Sequence, residues 1–176
     1  VGYRGACHLQ HLTLYIEQGM TTFESAGFES DYNGQSSDGK ARMVFLSQNL
    51  GVPAGSACLC VFVFACIDAQ DAADMIHTVT GWDFGMEDLL NMGARIWLLM
   101  RGLTNLMGVR ATDDILPPNV MMPLDNGMAA GSTLDLEKMR TEYYELRGID
   151  MNGIPKKAVL EKAGLKDLAV RLHGGM

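Results

Sequence analysis

The chain has 176 residues, of which 48% are hydrophobic and 20% are charged, and its net charge is −7. This length and composition are typical of one globular domain with its own hydrophobic core. An acidic chain lacks the clustered Lys and Arg that bind nucleic acids and anionic membranes, and its most apolar stretch, from Ala54 to Ile67, is too short to span a bilayer, so we expect neither partner.

The first half of the chain predicts a long loop followed by a helix. Residues 21–39 are rich in Gly, Ser, Asn and Asp, which is typical of a loop that is either functional or disordered. A helix is predicted from Lys40 to Leu50, because Gly51 follows it and Pro53 blocks its continuation. The apolar run from Cys58 to Ile67 fits either a buried strand or a buried helix.

The middle of the chain shows helical periodicity in two segments. Helices are predicted over Asp71–Thr78 and Met86–Met107. The second carries apolar residues around so much of its circumference that we expect it to be largely buried. A connector rich in Pro, Gly, Asn and Asp follows over Ala111–Gly131.

The C-terminal part predicts two further helices. Ser132 with Asp135 resembles a capping box, apolar residues follow at helical spacing, and Gly148 is placed to close the helix. A last helix is predicted to begin at Pro155 and to end at Gly164. Together these segments predict a mostly α, multihelical domain.

The four cysteines are the first candidates for chemistry. They are Cys7, Cys58, Cys60 and Cys66, and the crowding of the last three is unsuited to several structural disulfides. Reduced thiols or metal ligands are therefore expected, although Cys58 and Cys60 lack the second pair that a self-contained zinc site needs. Two alternatives remain: all four are buried side chains, or one completes a cluster whose other ligands lie on another segment.

Histidine and charged residues give weaker signals. His8 and His11 are spaced to share a helix face, but without a carboxylate partner a structural role is the expectation. The pair Asp113-Asp114 precedes a Leu-Pro turn and is expected to be solvated or to cap a helix. At least some of the arginines in the buried-looking region should be paired with carboxylates, namely Arg95, Arg101 and Arg110.

A series of short motifs follows along nearly the whole chain. In order they are Arg4-Gly-Ala-Cys-His8, Gly39-Lys-Ala, Gly55-Ser-Ala-Cys-Leu-Cys60, Gly81-Trp-Asp, Gly93-x-Arg-Ile, Arg101, Asn105, Asp113-Asp-Ile-Leu-Pro117, Glu142-Tyr-Tyr-x-x-Arg-Gly148 and Asn152-Gly-Ile-Pro155. This ordered series resembles the C-terminal third of the aldehyde ferredoxin oxidoreductase family. The family carries an Asp-x-x-Gly-Leu-Cys loop at the third motif, so Gly55 stands in place of its Asp and Cys58 in place of its Gly.

The resemblance implies a fold and a set of site residues. The full enzyme has an N-terminal β domain and two helical domains, which hold a tungsten bis-pterin and a four-iron four-sulfur cluster. Residues 1–176 would be the C-terminal helical domain, a fragment of that larger subunit. Cys60 would be the fourth cluster ligand, Leu59 would lie next to a pterin, and His8 would be an acid/base close to the metal. Gly55, Ser56 and Cys58 would complete the cofactor loop, and the run that follows is then expected to be helical.

The resemblance also implies a function. The whole enzyme would oxidise a small aldehyde to a carboxylic acid and pass electrons to ferredoxin or another electron-transfer protein. The alternatives are the tungsten subunit of a benzoyl-CoA reductase, and a non-catalytic binding module that has lost the cofactor, which the replacement of the family Asp by Gly55 suggests. Because no secretory signal opens the sequence, we expect a cytoplasmic protein, and we expect the whole enzyme to be a homo-oligomer.

Overall fold

The chain folds into packed α-helices. The computed structural model describes residues 2–3, 11, 13–21, 23–29, 32–64 and 66–174. Its helices are α1 (Thr13–Glu17), α2 (Lys40–Ser56), α3 (Val61–Phe64), α4 (Ala69–Thr80), α5 (Met86–Leu106), α6 (Leu136–Arg147), α7 (Lys157–Lys162) and α8 (Lys166–His173). Short 3-10 turns occupy Glu24–Ala26, Ala111–Asp113 and Pro118–Val120. The described residues form isolated β-bridges but no sheet, which confirms the predicted mostly α class.

Helices α2 and α5 form the centre of the fold and make its most extensive helix–helix contact. Gly93 is the point of closest approach, since a Cβ atom added there would lie 1.9 Å from the carbonyl oxygen of Asn49. Any larger residue would force the two backbones apart. The long helix predicted over Met86–Met107 is thus confirmed in position, although Leu103 and Leu106 in its last turn are exposed rather than buried.

The core consists of two clusters along this central pair. One cluster joins α2, α4 and the start of α5 with the preceding loop, and its buried members include Phe23, Met43, Leu50, Ala72 and Leu89. The other joins α5 with α6, α7 and α8, and its buried members include Trp97, Tyr143, Leu160 and Leu168. The first cluster anchors the segment predicted as a long loop, which is a loop with one 3-10 turn in its described residues.

Helix α2 is longer than the sequence predicts. The predicted end at Leu50 is wrong, because the helix continues through Gly51 and Pro53 to Ser56. A proline inside a helix removes one N–H donor, and the carbonyl that this leaves free here is that of Asn49, which faces Gly93 of α5. Pro53 is itself buried, so the packing of this helix outweighs the helix-breaking tendency of the proline.

The other element boundaries are partly as predicted. Helix α4 begins at Ala69, earlier than expected, with Asp68 as its N-cap. Among the described residues of the run from Cys58 to Ile67, the helical ones are Val61–Phe64. The N-cap of α6 is Asp135, whose side chain accepts a hydrogen bond from the Lys138 N–H at 3.0 Å, so the predicted Ser132 cap is wrong.

The C-terminal segment contains two helices instead of one. Gly148 closes α6 in the left-handed conformation, as predicted, with φ of 63°. The helix predicted from Pro155 begins at Lys157 instead and ends at Lys162. Helix α8 was not predicted, and it buries Leu168 against Gly102 of α5, where a Cβ atom would meet the leucine side chain at 2.5 Å.

Candidate functional site

The candidate cofactor loop begins at the C-terminal end of α2. The Leu59 N–H donates to the Ala54 carbonyl at 2.9 Å, and the Cys58 N–H donates to the Gly55 carbonyl at 3.2 Å. This pair of hydrogen bonds is a Schellman motif, in which Cys58 occupies the position that normally adopts the left-handed conformation. Its φ of 61° is in that region, and Cys58 is the only non-glycine residue with positive φ in the described part of the chain.

This geometry explains why a glycine suits position 58. Glycine adopts positive φ without a steric penalty, whereas a residue with a Cβ atom is strained there. The family loop that the sequence resembles has Gly at this position, and this chain makes the turn with Cys58 at an energetic cost. Local hydrogen bonds of the backbone therefore fix the path of the chain into Leu59 and Cys60.

The three described cysteines are free and exposed. Cys58, Cys60 and Cys66 have no disulfide partner, and the side chain of Cys66 donates to the Phe62 carbonyl at 3.3 Å. The interpretation of these thiols as buried small side chains is therefore wrong for all three. Cys7 and the predicted acid/base His8 lie outside the described residues.

The cysteines of the loop do not form a complete metal site by themselves. Within the described residues, no group of three or more His, Cys, Asp or Glu side chains could hold a metal ion. A four-iron four-sulfur cluster is held by four thiolates. Cys60 can therefore serve as a single ligand to such a cluster, provided that the other ligands come from elsewhere in the enzyme.

The remaining loop residues differ in what they can offer a cofactor. Gly55 is exposed, and a Cβ atom added there would meet nothing within 4 Å, so the position has room for the family Asp. The Ser56 hydroxyl donates to the Val52 carbonyl at 3.0 Å, which leaves its oxygen free to accept. Leu59 is half-buried and packs against the first core cluster.

Leu59 also belongs to an apolar groove next to the loop. The groove has a volume of about 400 Å³, and Pro53, Met75, Val79 and Trp82 are among its lining residues. None of the described residues that line it carries a charge. Sequence patterns did not reveal this groove, because its walls come from α2, α4 and α5, which are separated along the chain.

A buried ion pair lies towards the C-terminal end of α5. The Arg101 guanidinium donates to both carboxylate oxygens of Asp114, at 2.9 and 2.6 Å, and to the carbonyl of Gly153 at 3.0 Å. Tyr144 donates to the same carboxylate. Asp114 is 4% exposed, so the expectation that it is solvated or capping is wrong, whereas Asp113 accepts from the Arg110 N–H as a cap does.

The contacts with Asp114 change the pKa values of Arg101 and Tyr144. Burial by itself would lower the pKa of Arg101, but its hydrogen bonds to Asp114 raise it above the ordinary value. Burial, followed by the hydrogen bond to Asp114, raises the pKa of the Tyr144 phenol. Both groups therefore keep their protons around neutral pH, and both donate to the carboxylate of Asp114.

A second buried arginine has no carboxylate among its described hydrogen-bond partners. Arg147 donates to side-chain oxygens of Asn49 and Gln48, at 2.5 and 2.9 Å, and to the Tyr143 hydroxyl. Its guanidinium lies 4.4 Å from the centroid of the Trp97 ring, a cation–π distance. Burial lowers the pKa of Arg147. The side chain ties α6 to α2 and α5, a role that the sequence motif did not reveal.

The arginine prediction is thus confirmed at one position of three. Arg101 pairs with a carboxylate, as described above. In contrast, Arg95 donates to the Ala163 carbonyl at 3.0 Å, and Arg110 donates to the Asn105 and Val109 carbonyls. Backbone carbonyls can satisfy a guanidinium as well as a carboxylate can, and sequence alone does not distinguish the two.

Comparisons with known proteins agree with the architecture. A sequence model described as "Aldehyde ferredoxin oxidoreductase, domains 2 & 3" matches residues 1–165. The tungsten-containing aldehyde ferredoxin oxidoreductases of Pyrococcus furiosus and Pyrococcus abyssi are 34% and 33% identical to this chain over 167 residues. These matches cover 93% of the chain but only 26% of each relative, so the chain spans about a quarter of their length.

A solved structure shows the same fold. The BamBC active-site complex of benzoyl coenzyme A reductase superposes with a TM-score of 0.65 at 19% identity, covering 81% of this chain and 22% of that one. None of the described helices is both long and apolar enough to cross a membrane. By the extent of the sequence matches, the chain belongs to the aldehyde ferredoxin oxidoreductase family.

Proposed function

We propose that this chain is the C-terminal helical domain of a tungsten-pterin, iron–sulfur enzyme that oxidises aldehydes to carboxylic acids. The electrons would pass to ferredoxin or another electron-transfer protein. The observation that carries the proposal is the loop after α2: its Schellman turn presents Leu59 and Cys60 in the order of the family motif, with Cys60 exposed. The relatives with tungsten and aldehyde ferredoxin oxidoreductase in their names support the same assignment.

Cys60 is the residue that we assign to the cluster. Thiolate is the natural ligand of iron–sulfur clusters. The Cys60 thiol is exposed, so it can coordinate a cluster whose other ligands come from another segment. The remaining domains of the same enzyme would supply those ligands, since the described residues contain no further set. Hydrogen bonds and burial around the sulfur would then tune the reduction potential.

The loop residues before Cys60 are assigned to the pterin. Leu59 would pack against it, and Ser56 and the backbone at Gly55 would offer polar contacts at the open face of the loop. His8 would hold or move a proton close to the metal, because a histidine titrates near neutral pH. When bound, the tungsten cofactor supplies the redox chemistry, in which the aldehyde gains an oxygen from water and releases an electron pair and protons.

One observation favours a second candidate, a binding module without the cofactor. Gly55 removes the side chain that the family uses at this point of the loop, and nothing in the described structure fills the space. The two candidates differ in metal content. The benzoyl-CoA reductase alternative rests on a likeness of fold alone.

The test uses the complete native enzyme, purified without oxygen. We expect tungsten and iron by elemental analysis, and reduction of a viologen dye that depends on added aldehyde. Absence of both metals would establish the cofactor-free module instead. Metals without aldehyde oxidation, together with reduction of an aromatic thioester ring, would identify the reductase activity.

A further inference from the structure

We propose that Cys58 and Cys60 form a reversible disulfide when no iron–sulfur cluster occupies Cys60, and that this bridge protects the ligand thiol from irreversible oxidation. The inference rests on the proposed function, because it takes Cys60 to be the cluster ligand. It assigns a role to Cys58, the residue that stands in place of the family Gly and that the proposed ligation by Cys60 leaves unused.

Cys58 occupies a position that its side chain makes unfavourable. Its φ of 61° lies in the left-handed region, where a residue with a Cβ atom is strained and glycine is not. The side chain is exposed, so burial offsets little of this strain. A strained residue that packing does not account for points to a chemical role. The reactive group that Cys58 has and Gly lacks is a thiol.

The spacing of Cys58 and Cys60 allows the two thiols to meet. Consecutive Cα atoms lie about 3.8 Å apart, so the Cα atoms of residues two apart are separated by at most about 7.6 Å. A disulfide needs Cα atoms about 4.4–6.8 Å apart, which a bend at Leu59 supplies. Leu59 and Cys60 belong to neither α2 nor α3, so this bend breaks no helix. Both thiols are exposed, so neither has to leave a packed site to reach the other.

The third described thiol, that of Cys66, is held elsewhere. Cys66 follows α3, and its side chain donates to the Phe62 carbonyl of that helix at 3.3 Å. It lines a surface pocket together with Glu24 and Asp68, and none of the described residues that line this pocket belongs to the loop after α2. Cys66 is therefore a matched control, because it is an exposed thiol close in sequence but outside the pair.

The reaction needs an oxidant, which we take to be hydrogen peroxide. The Cys60 sulfur attacks the peroxide, the O–O bond breaks, and a sulfenic acid and one water form. The Cys58 sulfur then attacks the Cys60 sulfur, the S–O bond breaks, and the disulfide and a second water form. In total the two thiols lose two electrons and two protons to one peroxide, which becomes two waters.

The Cys58 thiol decides what becomes of the sulfenic acid at Cys60. Without a neighbouring thiol, further peroxide converts it to a sulfinic acid, which thiol reductants do not restore. A thiol tethered two residues away acts at an effective concentration in the millimolar range, so bridging outruns further oxidation when peroxide is more dilute than that. Exposed disulfides are the readily reduced ones. A thiol reductant therefore returns Cys60 to the form that can bind iron.

The experiment compares the complete native enzyme with its Cys58→Ser variant, which removes the thiol and keeps the Cβ atom. Each protein is depleted of iron with a chelator under anaerobic conditions, treated with hydrogen peroxide at about 0.1 mM, below the effective concentration of a tethered thiol, and blocked with N-ethylmaleimide. Cleavage after Phe62 separates Cys66 from the pair, and mass spectrometry reads each cysteine. We expect a Cys58–Cys60 disulfide in the native enzyme, and roughly tenfold more sulfinic Cys60 in Cys58→Ser.

Recovery of iron is the second measurement. After reduction with dithiothreitol and incubation with iron and sulfide, the treated native enzyme should regain its iron, and Cys58→Ser should not. Cys66→Ser should behave as the native enzyme does in both measurements. If Cys58→Ser does not accumulate as a folded protein, the disulfide in the native enzyme and in Cys66→Ser decides.

Iron analysis before the treatment separates this inference from the proposed function. If iron is present but no disulfide forms, and sulfinic Cys60 is equally abundant with and without Cys58, the protective bridge is refuted while the cluster assignment stands. A disulfide that joins Cys66 to either thiol would overturn the pairing. A Cys58–Cys60 disulfide in a native enzyme that never contained iron would uphold the pairing and refute the cluster assignment.

Discussion

Cys58→Gly should stabilise the protein, although it removes a side chain and adds none. A non-glycine residue in the left-handed conformation costs roughly 1–2 kcal/mol, and the φ of Cys58 is 61°. Glycine gives back part of this gain, about 0.5–1 kcal/mol, through the greater freedom of the unfolded chain. Because Cys58 is exposed, its side chain contributes little burial. The midpoints of the two ranges leave about 0.75 kcal/mol in favour of Gly.

Thermal unfolding measures this change. For a chain of this size, about 1 kcal/mol corresponds to a shift in Tm of roughly 2–4 °C, so Cys58→Gly should raise Tm by about 1–4 °C. Cys58→Ala is the matched control, because it removes the same thiol and keeps the Cβ atom that causes the strain. If Cys58→Ala stabilises as much as Cys58→Gly, the thiol and not the backbone is responsible, and the assignment of Cys58 to the Schellman position is refuted.

Three further predictions test the cluster ligand, the helix contact and the buried ion pair. Cys60→Ala in the complete enzyme should abolish the reduced-cluster electron paramagnetic resonance signal and lower the iron content, whereas Cys58→Gly should spare both; the opposite pattern would mean that the loop register is wrong. Gly93→Ala should destabilise the protein by on the order of several kcal/mol, as overpacking of a core does, because its Cβ atom would lie 1.9 Å from the Asn49 oxygen. A denaturant midpoint unchanged from wild type would contradict this contact. The pKa of Tyr144 is raised in the folded state above the ordinary phenol value of 10.0. The stability that this shift contributes is fully present below about pH 10 and is lost as the pH rises through the higher folded value. Stability should therefore fall above about pH 10, and it should fall less steeply in Tyr144→Phe when unfolding is followed by circular dichroism.

Local sequence rules predicted the elements whose ends are set by local interactions. Helix α5 and the glycine cap at Gly148 follow from apolar periodicity and from the positive φ that a helix end requires. The continuation of α2 through Pro53 could not be predicted in this way, because the contact with Gly93 stabilises it from a distant part of the chain. Tertiary packing overrides helix propensity where a close contact replaces a lost hydrogen bond.

The candidate site shows the same division. Composition indicated that a buried-looking Arg101 needed a carboxylate, but only the fold selects Asp114 over the adjacent Asp113. The apolar run after Cys58 suggested burial, yet Phe62 is 62% exposed. The hydrophobicity of a segment predicts that its surface will be buried, but it does not indicate whether the residues that bury it belong to this chain. The groove beside Leu59 is likewise visible only in three dimensions, because its walls come from α2, α4 and α5.

The two departures from the family loop have different physical consequences, although they lie on the same helix end. The hydrogen bonds that turn the chain at Cys58 run between backbone atoms, from Leu59 to Ala54 and from Cys58 to Gly55, so neither replacement alters the acceptors. The path to Cys60 is therefore preserved, with a strain that the turn tolerates. The loss at Gly55 concerns a side chain at a position around which the described residues leave open space. The proposed cluster ligation and the proposed pterin binding thus depend on separate features of one loop. A weakened cofactor site would appear as a loss of tungsten with iron retained, and Gly55→Asp, for which the structure has room, would raise the tungsten content without changing the iron.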